Sequence, residues 1–368
     1  MKTQIFGSCG RYVQGYKAIE NLSQYVDWMG KNFLIVASAG RIRDLHEKIT
    51  AALKEKNVVF YQFDKQITWE QIHKVIHKAE EFHADAIIGV GGGKIADTVK
   101  VAASKTGSKV VIVPTAASCD AFTSAAALVY DDEGMIVDGI NFPQSPDLVV
   151  ADTEILLQAP TRLLAAGMGD ALSTYIGGKV CQDHYFNNHF GGVGTKTALA
   201  IAKLSYDMLM DYGRQAKKAA ENKALTDAFN TVVEVNILMS GLGFENNGSS
   251  SDHCFYFGTL ALPEREEYVY HGEGVAFSTC CQLIMQGASN EILDEVYRFC
   301  IDVGLPVTFD DMRLPELTEE EYDIMTTAVL KEIFIKHHPF PVTYEMVLGA
   351  YKTADAIGHL YQQGGSLL

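Results

Sequence analysis

The chain has 368 residues, more than one hydrophobic core usually supports, so its length predicts two domains. Hydrophobic residues make up 48% of it and charged residues 21%, which is typical of an ordinary globular protein. The 46 acidic residues outnumber the 30 basic ones and give a net charge of −16, which argues against nucleic acid or an anionic membrane as a partner.

The sequence contains no evident targeting or membrane-spanning segment. No apolar run reaches the roughly 18 residues that a spanning helix requires, and the first six residues lack an apolar signal core. The seven cysteines include no Cys-x-x-Cys pair, so neither structural zinc nor thioredoxin-like chemistry is expected. We therefore expect a cytoplasmic protein with a small-molecule substrate.

The first 160 residues alternate short apolar strands with helices. The patterns predict strands at residues 33–37, 58–63, 86–90, 110–113 and 148–151, and helices at 42–55, 69–81 and 95–105. Several strands are apolar at consecutive positions, as expected for a sheet covered on both faces. The alternation predicts a mainly parallel sheet, with residues 128–140 forming a hairpin insert.

After about residue 160 the strand pattern disappears and only helical patterns follow. They lie at residues 163–179, 195–212, 224–242, 272–286, 290–303, 319–335 and 344–361. Thr318 and Glu321 form a capping box, and Thr343 is a candidate N-cap. The sequence therefore predicts an α/β domain over residues 1–160 and an all-helical domain over residues 161–368.

Residues 91–93 are three glycines between a predicted strand and the helix after it. Without Cβ atoms the backbone can approach a ligand closely, and the helix N-terminus offers unpaired N–H groups. Both features favour a phosphate or pyrophosphate. The dinucleotide fingerprint would need glycine where Lys94 stands, so a tight turn without a ligand is the alternative. Asp97 and Lys100, one turn into the helix, are equally compatible with solvated surface charges.

Asp170, His253 and His271 are candidate ligands of one divalent ion. One carboxylate and two imidazoles leave a fourth position open in a zinc site, and the same set also suits Fe(II). Their wide separation along the chain gives the set little specificity by itself. Histidines 73 and 77 have better local spacing on one helix but lie off its apolar face, so we expect them to face water. The remaining histidine pairs are assigned to loops or the surface: His184 with His189, and His337 with His338.

Six segments, taken in order, resemble the glycerol dehydrogenases, a branch of the iron-containing alcohol dehydrogenase family. They are residues 10–15, 89–98, 114–121, 160–171, 240–245 and 270–273. The resemblance implies a Rossmann-like N-terminal domain, an all-helical C-terminal domain, a dehydroquinate synthase-like architecture and a homo-oligomer. It also implies an oxidoreductase that transfers a hydride between NAD(P) and a small polyol or hydroxyketone at a zinc site in the interdomain cleft.

The same resemblance implies roles for individual residues. Asp170, His253 and His271 match the metal ligands, and Thr174 stands where iron-using relatives carry a histidine, which favours Zn2+ over Fe2+. The implied cofactor residues are Gly91, Gly92, Gly93 and Lys94 at the pyrophosphate, Asp97 in the same motif, Thr115 and Ser118 near the nicotinamide, and Ser38 near the adenosine ribose. Asp120 matches a polyol-contacting carboxylate.

The chain also departs from the family pattern. Ser38 replaces an acidic residue, so NADP use is open beside NAD. Tyr256 replaces a histidine; its hydroxyl could relay a proton as a catalytic group, or its ring could fill space in the core, which is the preferred interpretation. Gly177 replaces a glutamate, and Asp252 adds a carboxylate beside His253 that could alter the charge preference for the substrate.

Two other functions stay open. A phospho-polyol dehydrogenase or dehydroquinate synthase-like enzyme would need Lys or Arg near the metal, and residues 249–258 and 271–275 contain neither. A catalytically degenerate cofactor-binding protein would follow if the change to Tyr256 has removed turnover. The presence of all three candidate ligands argues against it.

Overall fold

A six-stranded parallel sheet organises the first part of the molecule. The computed structural model describes residues 2–262 and 269–368. The strands are β1 (Tyr12–Gly15), β2 (Asn32–Ser38), β3 (Asn57–Phe63), β4 (Ala86–Gly91), β5 (Lys109–Pro114) and, after a hairpin, β8 (Leu148–Asp152). They lie in the order β1-β8-β5-β4-β2-β3, and all neighbouring pairs are parallel. Strands β4 and β8 are buried at every residue, which explains their continuous apolar runs.

A hairpin and five helices accompany this sheet. The antiparallel hairpin consists of β6 (Ala126–Tyr130) and β7 (Ile136–Asn141), as predicted. The helices are α1 (Leu22–Val26), α2 (Ala39–Ala52), α3 (Trp69–Glu81), α4 (Gly93–Thr106) and α5 (Thr153–Gln158). Thr68 caps α3, because its hydroxyl accepts the Gln71 N–H at 3.3 Å.

The described residues after β8 are largely helical, which confirms the predicted fold class. The helices are α6 (Thr161–Asp183), α7 (Lys196–Glu221), α8 (Asp227–Glu234), α9 (Ser240–Asn247), α10 (Cys254–Leu260), α11 (His271–Met285), α12 (Asn290–Val303), α13 (Glu319–Lys331) and α14 (Tyr344–Gln362). Thr318 and Thr343 cap α13 and α14 as predicted. None of the described helices combines the length and hydropathy that a membrane crossing requires.

Several elements differ from the sequence prediction. Strand β1 and helices α1, α5 and α10 were not predicted. The helix predicted over residues 224–242 is α8 and α9, joined by a π-helical turn at Val235–Met239. The helix predicted to residue 335 ends at Lys331. The boundary at residue 160 stays a prediction, and residues 4–7 lie against the helical part, where Gly7 and Asn246 exchange two hydrogen bonds.

Glu245, on α9, ties the helical part to the segment that enters the hairpin. Its carboxylate accepts the Ala125 N–H at 2.8 Å and the Ser145 hydroxyl at 3.0 Å. Only 1% of Glu245 is exposed. Burial raises the pKa of this carboxyl from its ordinary value to about 7. The folded protein therefore holds a proton here that the unfolded chain releases near pH 4.5.

This raised pKa predicts a pH dependence of stability. Because the folded state binds more protons between about pH 4.5 and 7, the contribution of Glu245 is greatest below pH 4.5 and is lost as the pH rises through 7. Between pH 4.5 and 8, the wild type should lose about 2 to 3 kcal/mol of unfolding free energy relative to Glu245→Gln. Urea unfolding of both proteins at the two pH values checks this, and parallel pH profiles would contradict it.

Candidate active site

Three side chains carried by different helical segments meet at one point. Asp170 lies in the middle of α6, His271 is the first residue of α11, and His253 immediately precedes α10. The Nε2 atoms of His271 and His253 lie 3.4 Å and 3.7 Å from Asp170 Oδ1. One ligand atom from each residue lies within 4.8 Å of the other two. The structure thus gathers the three candidate ligands, here called the trio.

The geometry of the trio fits a small divalent ion. Ligand atoms about 2.0–2.2 Å from an ion at tetrahedral angles are separated from one another by about 3.4 Å. Asp170 Oδ1 is buried and has no hydrogen-bond donor among the described residues. Leaving such an atom without a partner costs about 1–3 kcal/mol. A cation between the three atoms would satisfy it, and the 37% exposure of the His271 side chain leaves this side of the trio open to solvent.

Glycines allow α6 and α11 to approach closely enough to form the trio. A Cβ atom on Gly169 would lie 2.2 Å from the carbonyl oxygen of Gly272, and one on Gly272 would lie 1.8 Å from the carbonyl oxygen of Ala166. Any larger residue at either position would force the two helices apart. That movement would separate Asp170 from His271, so these glycines position the trio.

The start of α11 is also fixed by an ion pair. The Glu273 carboxylate accepts the Tyr270 N–H at 2.8 Å and binds Arg162 through both of its oxygens, at 2.5 Å and 2.8 Å. Bidentate pairs of this kind are strong and directional. They hold the first turn of α11, and with it His271, against the start of α6.

Asp120 lies directly beside the trio. Its backbone N–H donates to Asp170 Oδ2 at 3.0 Å, and its carboxylate accepts the Ser240 hydroxyl at 3.4 Å. Burial and the negative charge of Asp170 raise the pKa of Asp120 well above its ordinary value. Burial opposes ionisation of Asp170 as well, but the two neighbouring imidazoles outweigh it and lower its pKa. The site therefore favours the ionised form of Asp170 and the protonated form of Asp120.

The glycine turn lies at the point where the sheet reverses its winding. From β2 the chain runs outward to β3, then returns to β4 on the other side of β2. Ligands of open α/β sheets bind in the crevice outside the carboxyl ends of two such strands. Ser38 ends β2 and Gly91 ends β4, so the predicted cofactor residues flank this crevice. Gly92 is the N-cap of α4, and a Cβ atom on it would meet nothing within 4 Å.

Three other predicted cofactor residues, Thr115, Ser118 and Lys94, lie close to the glycine turn along the chain or in space. Thr115 and Ser118 follow β5, and the Thr115 N–H donates to the Gly91 carbonyl at 3.0 Å, so this loop borders the glycine turn. Lys94 is exposed, with its ammonium 5.8 Å from the centre of the Tyr130 ring.

Asp97 and Ser38 make local contacts. Asp97 pairs with Lys100 at 2.8 Å and accepts the Leu128 N–H at 3.1 Å, so its carboxylate is bound to the hairpin. Ser38 accepts the Arg41 N–H at 3.4 Å as the N-cap of α2.

Tyr256 packs beside the trio. Only 8% of the residue is exposed, and its ring meets that of His271 edge-on with 5.4 Å between centroids. Gly274 leaves room for this ring, since a Cβ atom there would lie 2.0 Å from Tyr256 Cδ2. The environment is that of a packed aromatic in contact with a candidate ligand. A catalytic role for the hydroxyl stays a prediction.

Lys100 is a residue whose importance the sequence did not reveal. It is 3% exposed rather than a solvated surface charge. Its ammonium donates to the carbonyls of Ala121, at 2.9 Å, Ser124, at 3.4 Å, and Ala126, and pairs with Asp97. A buried lysine on a predicted helix has no sequence signal of its own, because the groups that bind it are backbone carbonyls, which every residue carries. Lys100 holds the loop that carries Asp120.

Replacing Lys100 with methionine should destabilise the protein strongly. The change leaves three carbonyls and the Asp97 carboxylate without their cation, and removing one partner of a buried ion pair costs about 3–5 kcal/mol. Lys105→Met, on the exposed last turn of the same helix, should change the unfolding free energy by no more than about 0.5 kcal/mol. Urea unfolding of both variants checks the difference, and equal stabilities would contradict it.

The remaining histidines behave differently from one another. His73 and His77 are exposed on α3, as predicted. His338 lies in a loop, which agrees with the prediction of a loop or surface position, but it is only 6% exposed, with Nε2 2.9 Å from the Ser251 hydroxyl. Among the described residues no second group of metal-ligating side chains accompanies the trio.

Comparisons with known proteins agree with this architecture. Residues 13–160 match the family model for iron-containing alcohol dehydrogenase. The chain is 37% identical to a glycerol dehydrogenase from Thermotoga maritima over 95% of this chain and 96% of that protein. The structure matches that of a probable glycerol dehydrogenase from Sinorhizobium meliloti 1021 with a TM-score of 0.92 and 34% identity, covering 97% and 99% of the two chains.

A more distant structure shows the shared fold alone. It is a sulfoacetaldehyde reductase from Bifidobacterium kashiwanohense in complex with NAD+, with a TM-score of 0.80 at 15% identity, covering 96% of this chain and 99% of that one.

Proposed function

The chain belongs to the glycerol dehydrogenases of the iron-containing alcohol dehydrogenase family, and we propose that it oxidises a small uncharged polyol with NAD(P) at a zinc site formed by Asp170, His253 and His271. The observation that carries this proposal is the buried Asp170 Oδ1, without a hydrogen-bond donor among the described residues but with two imidazole nitrogens at 3.4 Å and 3.7 Å.

Each part of the chain would have a defined task. The trio would hold the ion, which when bound favours ionisation of a substrate hydroxyl and so the departure of hydride. The crevice between β2 and β4 would take the dinucleotide, with its pyrophosphate at Gly91, Gly92 and the start of α4. Asp120, whose N–H contacts Asp170, would hydrogen-bond a second hydroxyl of the polyol. The chain's main contribution is to orient both reactants in one cleft.

Zinc is favoured over iron because Thr174 stands where iron-using relatives carry a further histidine. Three protein ligands with one open position are typical of catalytic zinc. Thr174, one turn beyond Asp170 on α6, is buried, and its hydroxyl lies 3.0 Å from that of Ser240. Its side chain is therefore engaged between two helices and adds no imidazole to the site.

The charges around the trio favour an uncharged substrate over a phosphorylated one. Asp120 adds a carboxyl group beside the ligand Asp170. Two nearby cations are engaged elsewhere: Lys100 binds loop carbonyls and Asp97, and Arg162 binds Glu273. Neither cation is then free to neutralise a phosphate at this site, which supports a polyol over the phospho-polyol alternative.

A cofactor reduction assay tests this proposal. Purified protein is given NAD+ or NADP+ with glycerol, 1,2-propanediol or 2,3-butanediol, before and after chelation, and after zinc is restored. We expect turnover with at least one diol, loss on chelation and recovery with zinc. Glycerol phosphates should be poorer substrates than glycerol. Absence of turnover with every small alcohol or carbonyl compound in the presence of added metal would contradict the proposal.

A further inference from the structure

Asp252, the residue before His253, is turned inward onto that histidine. It is 2% exposed, and its Oδ2 lies 3.0 Å from His253 Nδ1. Its other oxygen, Oδ1, accepts the Ser250 N–H at 2.6 Å and lies 3.4 Å from the Ser250 hydroxyl. Both oxygens are therefore held by protein groups, one by the His253 ring and the other by the Ser250 N–H.

This contact decides which imidazole nitrogen can bind a metal. A carboxylate beside Nδ1 keeps the proton on that nitrogen, so the lone pair remains on Nε2. Nε2 is the atom that lies 3.7 Å from Asp170 Oδ1 within the trio. A carboxylate in this position also makes the ring a stronger ligand and fixes its orientation.

The space that Asp252 occupies depends on Gly177. This glycine lies on α6, about two turns beyond Asp170, and a Cβ atom on it would lie 2.5 Å from the carboxyl carbon of Asp252. No side chain at position 177 could coexist with the observed carboxylate. Beyond Asp252, Ser250 and Ser251 both donate to Gln282 Oε1, at 3.1 Å and 3.2 Å, which anchors this segment to α11.

We propose that Asp252 is a positioning residue of the metal site: it holds His253 with Nε2 directed at the ion, in a space that Gly177 leaves free. The proposal rests on the proposed function only in assuming that the trio binds a divalent ion.

Zinc affinity of the apo-protein tests the proposal without an activity assay. The dissociation constant is measured by competition with a chromophoric chelator for the wild type, Asp252→Asn and the control Asp183→Asn, an exposed carboxylate at the end of α6. Asp252→Asn should bind zinc about 10- to 100-fold more weakly, and the control should match the wild type. An affinity of Asp252→Asn within threefold of the wild type would overturn the proposal.

Two further measurements separate positioning from folding. Gly177→Ala keeps the carboxylate but displaces it, so it should also weaken zinc binding, whereas an unchanged affinity would count against the proposal. In cobalt(II)-substituted protein, the visible absorption bands should shift in Asp252→Asn and not in Asp183→Asn. If the wild type bound no zinc at all, the proposed function itself would fail. If the wild type bound zinc and Asp252→Asn bound it equally tightly, only the proposed role of Asp252 would fail.

Discussion

Replacing His271 with alanine is expected to abolish tight zinc binding and to lower kcat/KM for polyol oxidation by about a thousandfold or more. The trio would keep two ligands, too few for a stable site. The ion supplies several kcal/mol of charge stabilisation, and each 1.36 kcal/mol corresponds to a tenfold change in rate. Because the His271 side chain is 37% exposed, its removal should cost little folding stability. Metal content and steady-state kinetics check both parts.

The matched control for this variant is His73→Ala. His73 is exposed on α3 and lies outside the trio, so zinc content and kcat/KM should stay at wild-type values. Wild-type zinc content in His271→Ala, with an unchanged thermal unfolding profile, would remove His271 from the site.

Replacing Gly92 with valine is expected to weaken cofactor binding by about 10- to 100-fold while leaving the apo-protein folded. A Cβ atom on Gly92 meets nothing within 4 Å beyond its own chain neighbours, so the position has room for a side chain, which would occupy the space proposed for the pyrophosphate. It would displace one or two hydrogen bonds to a charged group, each contributing about 1.5–3 kcal/mol. Titration of NAD+ by intrinsic fluorescence measures the loss directly.

Gly349→Val serves as the control for that substitution. Gly349 lies on the exposed face of α14, and a Cβ atom there also meets nothing within 4 Å. Its cofactor affinity should equal that of the wild type. Equal affinities for all three proteins would place the dinucleotide elsewhere.

Local signals predicted helix boundaries well where capping residues mark them. Helix α3 begins after Thr68, whose hydroxyl accepts an N–H of the first turn, and α12 ends before Gly304, which adopts φ 81°. Both helices match their predicted bounds. Strand β1 was missed because its four half-buried residues pair only with β8 and carry no alternating pattern. Helix α10 was missed because its apolar and aromatic residues are buried nearly all round.

The candidate site was harder to predict than the fold because tertiary contacts create it. The spacing of Asp170, His253 and His271 along the chain is uninformative, so the family resemblance was the main reason to group them. In the structure, the close approach of α6 and α11 at Gly169 and Gly272 brings Asp170 and His271 together. The direction of Asp252 could not be predicted for the same reason. The sequence suggested that its carboxylate could alter the charge preference for the substrate. In the structure the carboxylate occupies the space beside Gly177 and contacts His253.

The central claim is that the trio binds one divalent ion beside the dinucleotide crevice. Anomalous diffraction at the zinc absorption edge, from crystals grown with zinc, tests it most directly. We expect one strong peak about 2.0–2.2 Å from Asp170 Oδ1 and from the Nε2 atoms of His253 and His271. A structure with zinc at other histidines, such as His73 and His77, and no peak among the trio would contradict the account.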